Sequence, residues 1–324
     1  MDVLADVLSA TRIDGTIFSH RRFPTPWGVS FEPAARASFH VVIEGRMWLR
    51  SDALEQPLAL EQGDIVLLPH GAGHSLASDL LAALRPLSEI IATPPALDPD
   101  QASAPGATPP SPRSDEPQPP GTTLMCGSYR FDRDAVHPLL SLLPPVIHIP
   151  ADDGQVATPL ESVYGLLSEE YARGGPGSHA VVTRLVDVLF IYIIRSWATA
   201  QTNGAASWIE ALRDGQIGRA LAAMHRQPRR DWSVNQLANE VGMSRSSFVR
   251  RFSRLVGEPP LSYLTRWRMD VAAQLLRETE LPMAQIADRI GYRSEYAFNR
   301  AFQRTRGTPP GRYREQVRVE EAAA

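Results

Sequence analysis

The chain contains no lysine. Each of its 33 fixed positive side chains is therefore an arginine guanidinium, a planar group suited to paired bonds with phosphates or base edges, although a compositional bias of the genome would leave the same mark. Cysteine is nearly absent. The single thiol, Cys126, excludes an intrachain disulfide framework and fits a reducing compartment. Uninterrupted apolar runs are missing too. The most apolar stretch, Ala180 to Trp197, carries Arg184, Asp187 and Arg195, whereas a bilayer span needs about 20 largely uncharged residues. It reads as a helix buried in a soluble protein, with no membrane partner. The start, Met1-Asp-Val-Leu-Ala-Asp, lacks the basic and apolar regions of a secretory signal, so a cytoplasmic location is expected.

With 324 residues there is enough chain for two domains with separate cores. The net charge of −3 conceals a division: residues 1–204 hold 13 Arg against 23 acidic residues, and residues 205–324 hold 20 Arg against 13. A basic half suggests an anionic partner, nucleic acid first, although surface charge also drifts between domains without function.

Val3, Leu4, Val7 and Leu8 give Met1 to Thr11 one apolar face, as in a short amphipathic helix. From Gly15 to Ile91 the pattern turns to short strands and turns. Phe39 to Leu49, broken at Glu44-Gly45, predicts a hairpin or a bend between two strands; Ile65 to Leu68 predicts a buried one. Thr93 to Gly121 contains ten of the 28 prolines and a single large aliphatic residue, Leu97. Such a segment cannot bury enough apolar surface to offset its ordering entropy, so disorder is expected there. The strand-like Thr122 to Phe131 makes it an insertion within a domain. Helices are then expected over Asp134 to Leu143, Thr158 to about Ala172, and Ser178 to Ala200. The last has more apolar residues than one partner needs, which fits either a core helix or a homodimer seam. Gln201 to Ala206 reads as a linker.

Beyond it, one pattern occurs twice. Gln236-Leu-Ala-Asn-Glu-Val-Gly242 is followed by Phe248, Phe252, Gly257, Pro260 and Tyr263. Gln285-Ile-Ala-Asp-Arg-Ile-Gly291 is followed by Phe298, Phe302, Gly307, Pro310 and Tyr313. The offset is 49 residues up to the glycine and 50 after it. Each copy reads as helix, tight turn and helix, with the phenylalanines spaced i and i+4 so that the opposite face of the second helix is free. That face offers Arg245, Ser246, Val249, Arg250 and Arg254 in the first copy, and Arg293, Glu295, Tyr296, Asn299, Arg300, Gln303 and Arg304 in the second. Arg, Asn and Ser are side chains that bond phosphates and base edges. A merely solvated polar face would explain one such unit but not two basic copies. Leu261 to Glu278 predicts the helix between them.

These residues resemble the DNA-binding domain of the AraC/XylS family of bacterial transcription regulators. The likeness rests on Leu-Ala-x-x-Val-Gly-Met-Ser at 237–244, Ile-Ala-x-x-Ile-Gly-Tyr at 286–292, Phe-x-x-x-Phe in both second helices, and the closing Gly307-Thr-Pro-Pro-Gly-Arg-Tyr-Arg314. The resemblance implies two recognition helices in successive major-groove segments, with Ser246, Val249 and Arg250, and Glu295, Tyr296, Asn299 and Arg300, at base-contacting positions. Val249 departs from the pattern, offering only apolar contact. Promoter DNA, RNA polymerase, a homodimeric state and an unidentified effector are expected with it, and activation is the expected effect on transcription, with repression left open.

In the first half, Gly63-Asp-Ile-Val-Leu-Leu-Pro69-His-Gly71-Ala-Gly-His74 resembles the second cupin motif, while the first motif is poor, with Ser38 in place of its first histidine and His40 matching its second. The expected fold is α+β: residues 1–200 as a cupin-like β-barrel with accessory helices for sensing and dimerisation, residues 201–207 as linker, and residues 208–324 as an all-α domain with two helix-turn-helix units. A barrel mouth could bring His40, His74 and either Glu44 or Cys126 to a divalent metal such as Zn; a packed His40 and a turn-ending His74 are the plain alternative. Cys126 is also a candidate redox sensor if a neighbouring cation lowers its pKa. The leading expectation is a non-enzymatic transcription regulator whose barrel senses a small molecule, metal or oxidant; the alternative is a metal-dependent cupin enzyme with a DNA-binding appendage.

Overall fold

The computed structural model describes residues 3–10, 13–92, 120–131, 143–151, 159–200 and 207–322. In chain order the elements are α1 (Val3–Ala10), β1 (Ile13–Pro24), β2 (Gly28–Phe31), β3 (Ala37–Glu44), β4 (Arg46–Ser51), β5 (Leu58–Glu61), β6 (Ile65–Leu68), β7 (His74–Ala77), β8 (Arg85–Pro86), α2 (Leu87–Ala92), β9 (Gly121–Phe131) and β10 (Ile147–Ile149). Then come α3 (Pro159–Arg173), α4 (Ser178–Ala200), α5 (Ser207–Arg213), α6 (Ile217–Arg226), α7 (Val234–Glu240), α8 (Arg245–Val256), α9 (Pro260–Glu278), α10 (Met283–Arg289), α11 (Glu295–Arg306) and α12 (Pro310–Ala322). The chain divides into a sheet unit, residues 14–130 and 144–197, and a helical unit, residues 1–13, 131–143 and 198–324.

The sheet unit consists of two five-stranded sheets, ordered β1-β9-β3-β6-β10 and β5-β4-β7-β2-β8. Its core lies between them: Val42, Val66, Leu68, Leu124 and Cys126 of the first sheet meet Val29, Leu49, Leu60 and Leu76 of the second. Full burial of such a side chain stabilises by about 1.5–3 kcal/mol. β6, Ile-Val-Leu-Leu, is buried at every position, as its unbroken apolar run requires. Glu44-Gly45 is a bend and not a hairpin, because β3 and β4 belong to different sheets. Gly45 turns the chain with φ 83, and a Cβ there would lie 2.7 Å from the Gly121 carbonyl oxygen.

β9 lies between β1 and β3, so the proline-rich segment interrupts the sheet rather than ending it. That segment, apart from Pro120 and Gly121, lies outside the described residues, as do the helix expected over 134–143 (bar Leu143) and the linker at 201–206. α4 packs as a core helix: Val186, Leu189, Phe190, Ile193, Ile194 and Trp197 are buried, and the Tyr129 hydroxyl donates to the Val186 carbonyl at 3.1 Å. Val181 and Val188 stay outward. Among the described residues no helix is long and apolar enough to cross a membrane.

In the helical unit, α6 packs on α7 and α8 as α9 packs on α10 and α11, so the sequence repeat is a structural one. Asp214 Oδ1 accepts from the backbone N–H groups of Gln216 and Ile217 at 3.0 and 2.9 Å, closing the start of α6. Ser233 and Gln236 form a reciprocal capping box at α7. Ser244 and Ser294 cap α8 and α11, and Gly257 and Gly307 end them with φ 84 and 74. The two copies thus share their punctuation as well as their apolar spines.

One segment departs from the division expected at residue 200. α1 belongs with the helical unit, where it packs on α6 and α9 and buries Val3 and Val7.

Candidate functional site

Each helix pair turns at a glycine in the left-handed region, which residues with a side chain rarely enter, Gly242 at φ 70 and Gly291 at φ 84. Beyond the turn, Phe248 and Phe252 of α8 and Phe298 and Phe302 of α11 are fully buried. Their rings meet at 5.5 Å in the first copy and 5.7 Å in the second. Burying that face leaves the other outward. Arg245, Ser246, Arg250 and Arg254 are exposed on α8, with Val249 half-buried. On α11, Glu295, Tyr296, Arg300, Gln303 and Arg304 are exposed and Asn299 is half-buried, while Arg293 is exposed in the turn before it.

Most of these groups are at liberty. Among the described residues Arg245, Arg250, Arg254, Arg300 and Arg304 make no ion pair. Arg300 lies over the Tyr296 ring at 5.9 Å. Asn299 donates its amide N–H to the Glu295 carbonyl at 2.9 Å. Arg293 differs, pairing with Asp231 at 2.9 Å, but both groups are almost fully exposed and such a pair contributes little.

Behind the surface lies a polar network that sequence reasoning missed. Arg306 Nη2 bonds Asp270 Oδ1 at 2.7 Å, with both side chains buried. Burial pushes the Asp270 carboxyl up to about 6, against the pull of Arg306 and Arg266. His225 of α6 stacks on Trp267 at 3.8 Å and lies 2.7 Å from the Tyr263 hydroxyl and 3.2 Å from Asp6 of α1. Burial, then the Arg266 cation, lowers its pKa to about 3. A neutral ring follows, with Nδ1–H donating to Asp6 and Nε2 accepting from Tyr263. The one available signal was a charged Asp270 inside the apolar stripe of α9.

In the sheet unit, His40 of β3 and His74 of β7 come from opposite sheets and meet, Nε2 to Nε2, at 2.8 Å. His74 Nδ1 donates to the Ala72 carbonyl at 2.9 Å, so its Nε2 is the acceptor and His40 Nε2–H the donor. His40 Nδ1 is left as a buried acceptor without a partner. Burial holds both rings neutral, and His74 depresses His40 further. Phe31 stacks on His74 at 4.4 Å.

The other expected ligands do not complete this pair. The register shifts between Val42 and Glu44, and Glu44 instead bonds Arg22 at 2.7 Å and Thr123 at 3.1 Å at the surface. Cys126 is the cross-strand partner of His40, yet among the described residues no three His, Cys, Asp or Glu groups gather as a metal site requires. The two histidines spend their facing nitrogens on each other, so the set does not fit a three-ligand zinc site. Cys126 is buried, and burial alone pushes its thiol up to about 12. Burial thus works against the thiolate form that a redox-sensing cysteine uses.

Comparison with known proteins agrees with both halves. A family model described as Cupin matches residues 2–199, and one described as a Helix-turn-helix domain matches residues 237–316. An AraC-like transcription regulator of Streptomyces lividans is 30% identical over 97% of this chain and 98% of its own length. The RCS-specific HTH-type transcriptional activator RclR of Escherichia coli is 30% identical over 98% and 99%. Among solved structures, the DNA-binding domain of AdpA in complex with a target DNA is 31% identical, covering 34% of this chain and 99% of that one at a TM-score of 0.32. These relatives are named as regulators of transcription. The chain belongs to the AraC family of transcription regulators, in which a cupin-like sensing domain is joined to a pair of DNA-binding helix-turn-helix units.

Proposed function

We propose that α8 and α11 enter successive major-groove segments of double-stranded DNA, roughly 34 Å apart. The observation that carries this reading is that both helices bury a phenylalanine face and leave a basic, largely unpaired face outward. In this reading Ser246, Val249 and Arg250, and Glu295, Tyr296, Asn299 and Arg300, meet base edges, while Arg245, Arg254, Arg293 and Arg304 bond phosphates. The protein acts in the bacterial cytoplasm as a homodimer, catalyses no reaction, and activates transcription through RNA polymerase. Outward Val181 and Val188 of α4, with Leu166 and Tyr171 of α3, supply the dimer seam.

The effector lies between the sheets beside His40 and His74, and it must bind two states of the protein unequally to change DNA binding. A divalent metal such as Zn acts there only by recruiting ligands beyond the two histidines. The test is a footprint on the DNA flanking the protein's own gene, repeated with oxidant, chelator and a metabolite panel. Two protected stretches one helical turn apart, shifted by one of these additions, are expected. A single protected stretch would end the two-reader reading, and indifference to every addition would end the sensing one.

A further inference from the structure

We infer that the charge chain Glu258–Arg266–Asp270–Arg306 is a positioning device that fixes the register between α8 and α11, and so the spacing of the two DNA sub-sites the protein accepts. The inference rests on the reading of those helices as groove readers.

The chain of charges runs from one reader to the other. Glu258 follows Gly257, which ends α8. Arg266 Nε donates to Glu258 at 3.0 Å. One turn along α9, Asp270 lies 3.7 Å from Arg266 Nη1. Asp270 in turn holds Arg306, the last residue of α11, at 2.7 Å. Side-chain exposure falls along the path, from 23% at Glu258 and 18% at Arg266 to 9% at Asp270 and 1% at Arg306.

The repeat supplies the control. The offset of 49 before the glycine sets Ile217 and Leu221 of α6 against Arg266 and Asp270 of α9; the offset of 50 after it sets Val256 against Arg306. All three residues of the first copy are apolar and buried. The scaffold therefore closes without charges, and a buried ion pair is commonly no more stabilising than apolar residues of similar volume. What charges add is direction: Arg306 bonds Asp270 in one geometry, whereas an apolar contact slides. The extra link to Glu258 ties that geometry to the end of α8, a connection that packing of the second copy alone does not need.

The test is selection by the full-length protein from a pool of random duplexes, followed by binding to the selected site with its spacer lengthened or shortened by a base pair. Wild type is expected to prefer one spacing. Asp270→Leu with Arg306→Val, which installs the residues of the first copy, should melt at or above wild type and select the same sub-site sequences. Its preference for the original spacing should fall about tenfold. Glu258→Gln, which leaves the buried pair intact, should lose about threefold. A folded double variant with wild-type spacing preference overturns the inference; if that variant does not fold, an unchanged preference in Glu258→Gln does so. If wild type itself selects no bipartite site, the groove reading fails instead.

Discussion

Asp6 Oδ2 stands 3.2 Å from His225 Nδ1, which fastens the first helix of the chain to the helix preceding the first DNA-reading pair. The contact is a hydrogen bond to a neutral ring, because His225 stays unprotonated down to about 3. An unfolded histidine takes its proton near 6.5. Between those values the unfolded chain binds the extra proton, so stability falls as pH drops from about 6.5 towards 3, by up to about 1.4 kcal/mol per pH unit. Urea midpoints measured from pH 7 to pH 4 should fall less steeply in His225→Gln than in wild type. Equal slopes would show that the ring is not held neutral.

Arg250→Ala and Arg300→Ala should each weaken binding by about 1–3 kcal/mol and relax preference at one or two base pairs. Arg254→Ala should weaken all sequences alike and reduce the salt slope by about one. Binding-site selection combined with salt titration separates the two behaviours. Retention of wild-type preference by both groove variants would remove α8 and α11 from the grooves.

The two turn glycines should respond unequally to alanine. Both sit at positive φ, which costs a residue with a side chain about 1–2 kcal/mol. A Cβ at Gly242 would meet nothing within 4 Å, whereas one at Gly291 would lie 2.6 Å from the Arg229 carbonyl oxygen. Gly291→Ala should therefore lower the melting temperature more than Gly242→Ala. The reverse order would place Arg229 elsewhere.

Cys126 should resist alkylation by iodoacetamide at pH 8 in the native protein and react fully in urea, since burial pushes its thiol up to about 12. Equilibrium dialysis should also recover less than one Zn per chain, because His40 and His74 lack a third ligand among the described residues. Stoichiometric Zn that disappears in His40→Ala would restore the metal site.

The DNA-reading half was legible because each of its determinants is local. Phenylalanines at i and i+4 dictate which face is buried, and the glycine after each second helix marks its end, wherever they occur. The sheet interior was half legible. His40 and His74 do converge, but Glu44 does not, since a register shift two residues before it turns its side chain to Arg22. No pattern in Val42 to Glu44 announces that shift. Asp270 and Arg306 are 36 residues apart and pair only through the packing of α9 on α11, which sequence spacing does not reveal.

α1 carries a consequence for any attempt to cut the molecule in two. The helical unit is discontinuous, assembled from the first 13 residues, a central piece and everything after Trp197. A fragment starting at residue 207 would contain both helix-turn-helix units and yet be missing a wall. Val3 and Val7 would no longer cover α6 and α9, and His225 would lose the carboxylate that takes its proton bond. Supplying residues 1–13 as a separate peptide should restore the melting temperature of such a fragment, which makes the eight-residue helix at the start of the chain a missing part that can be added back from outside.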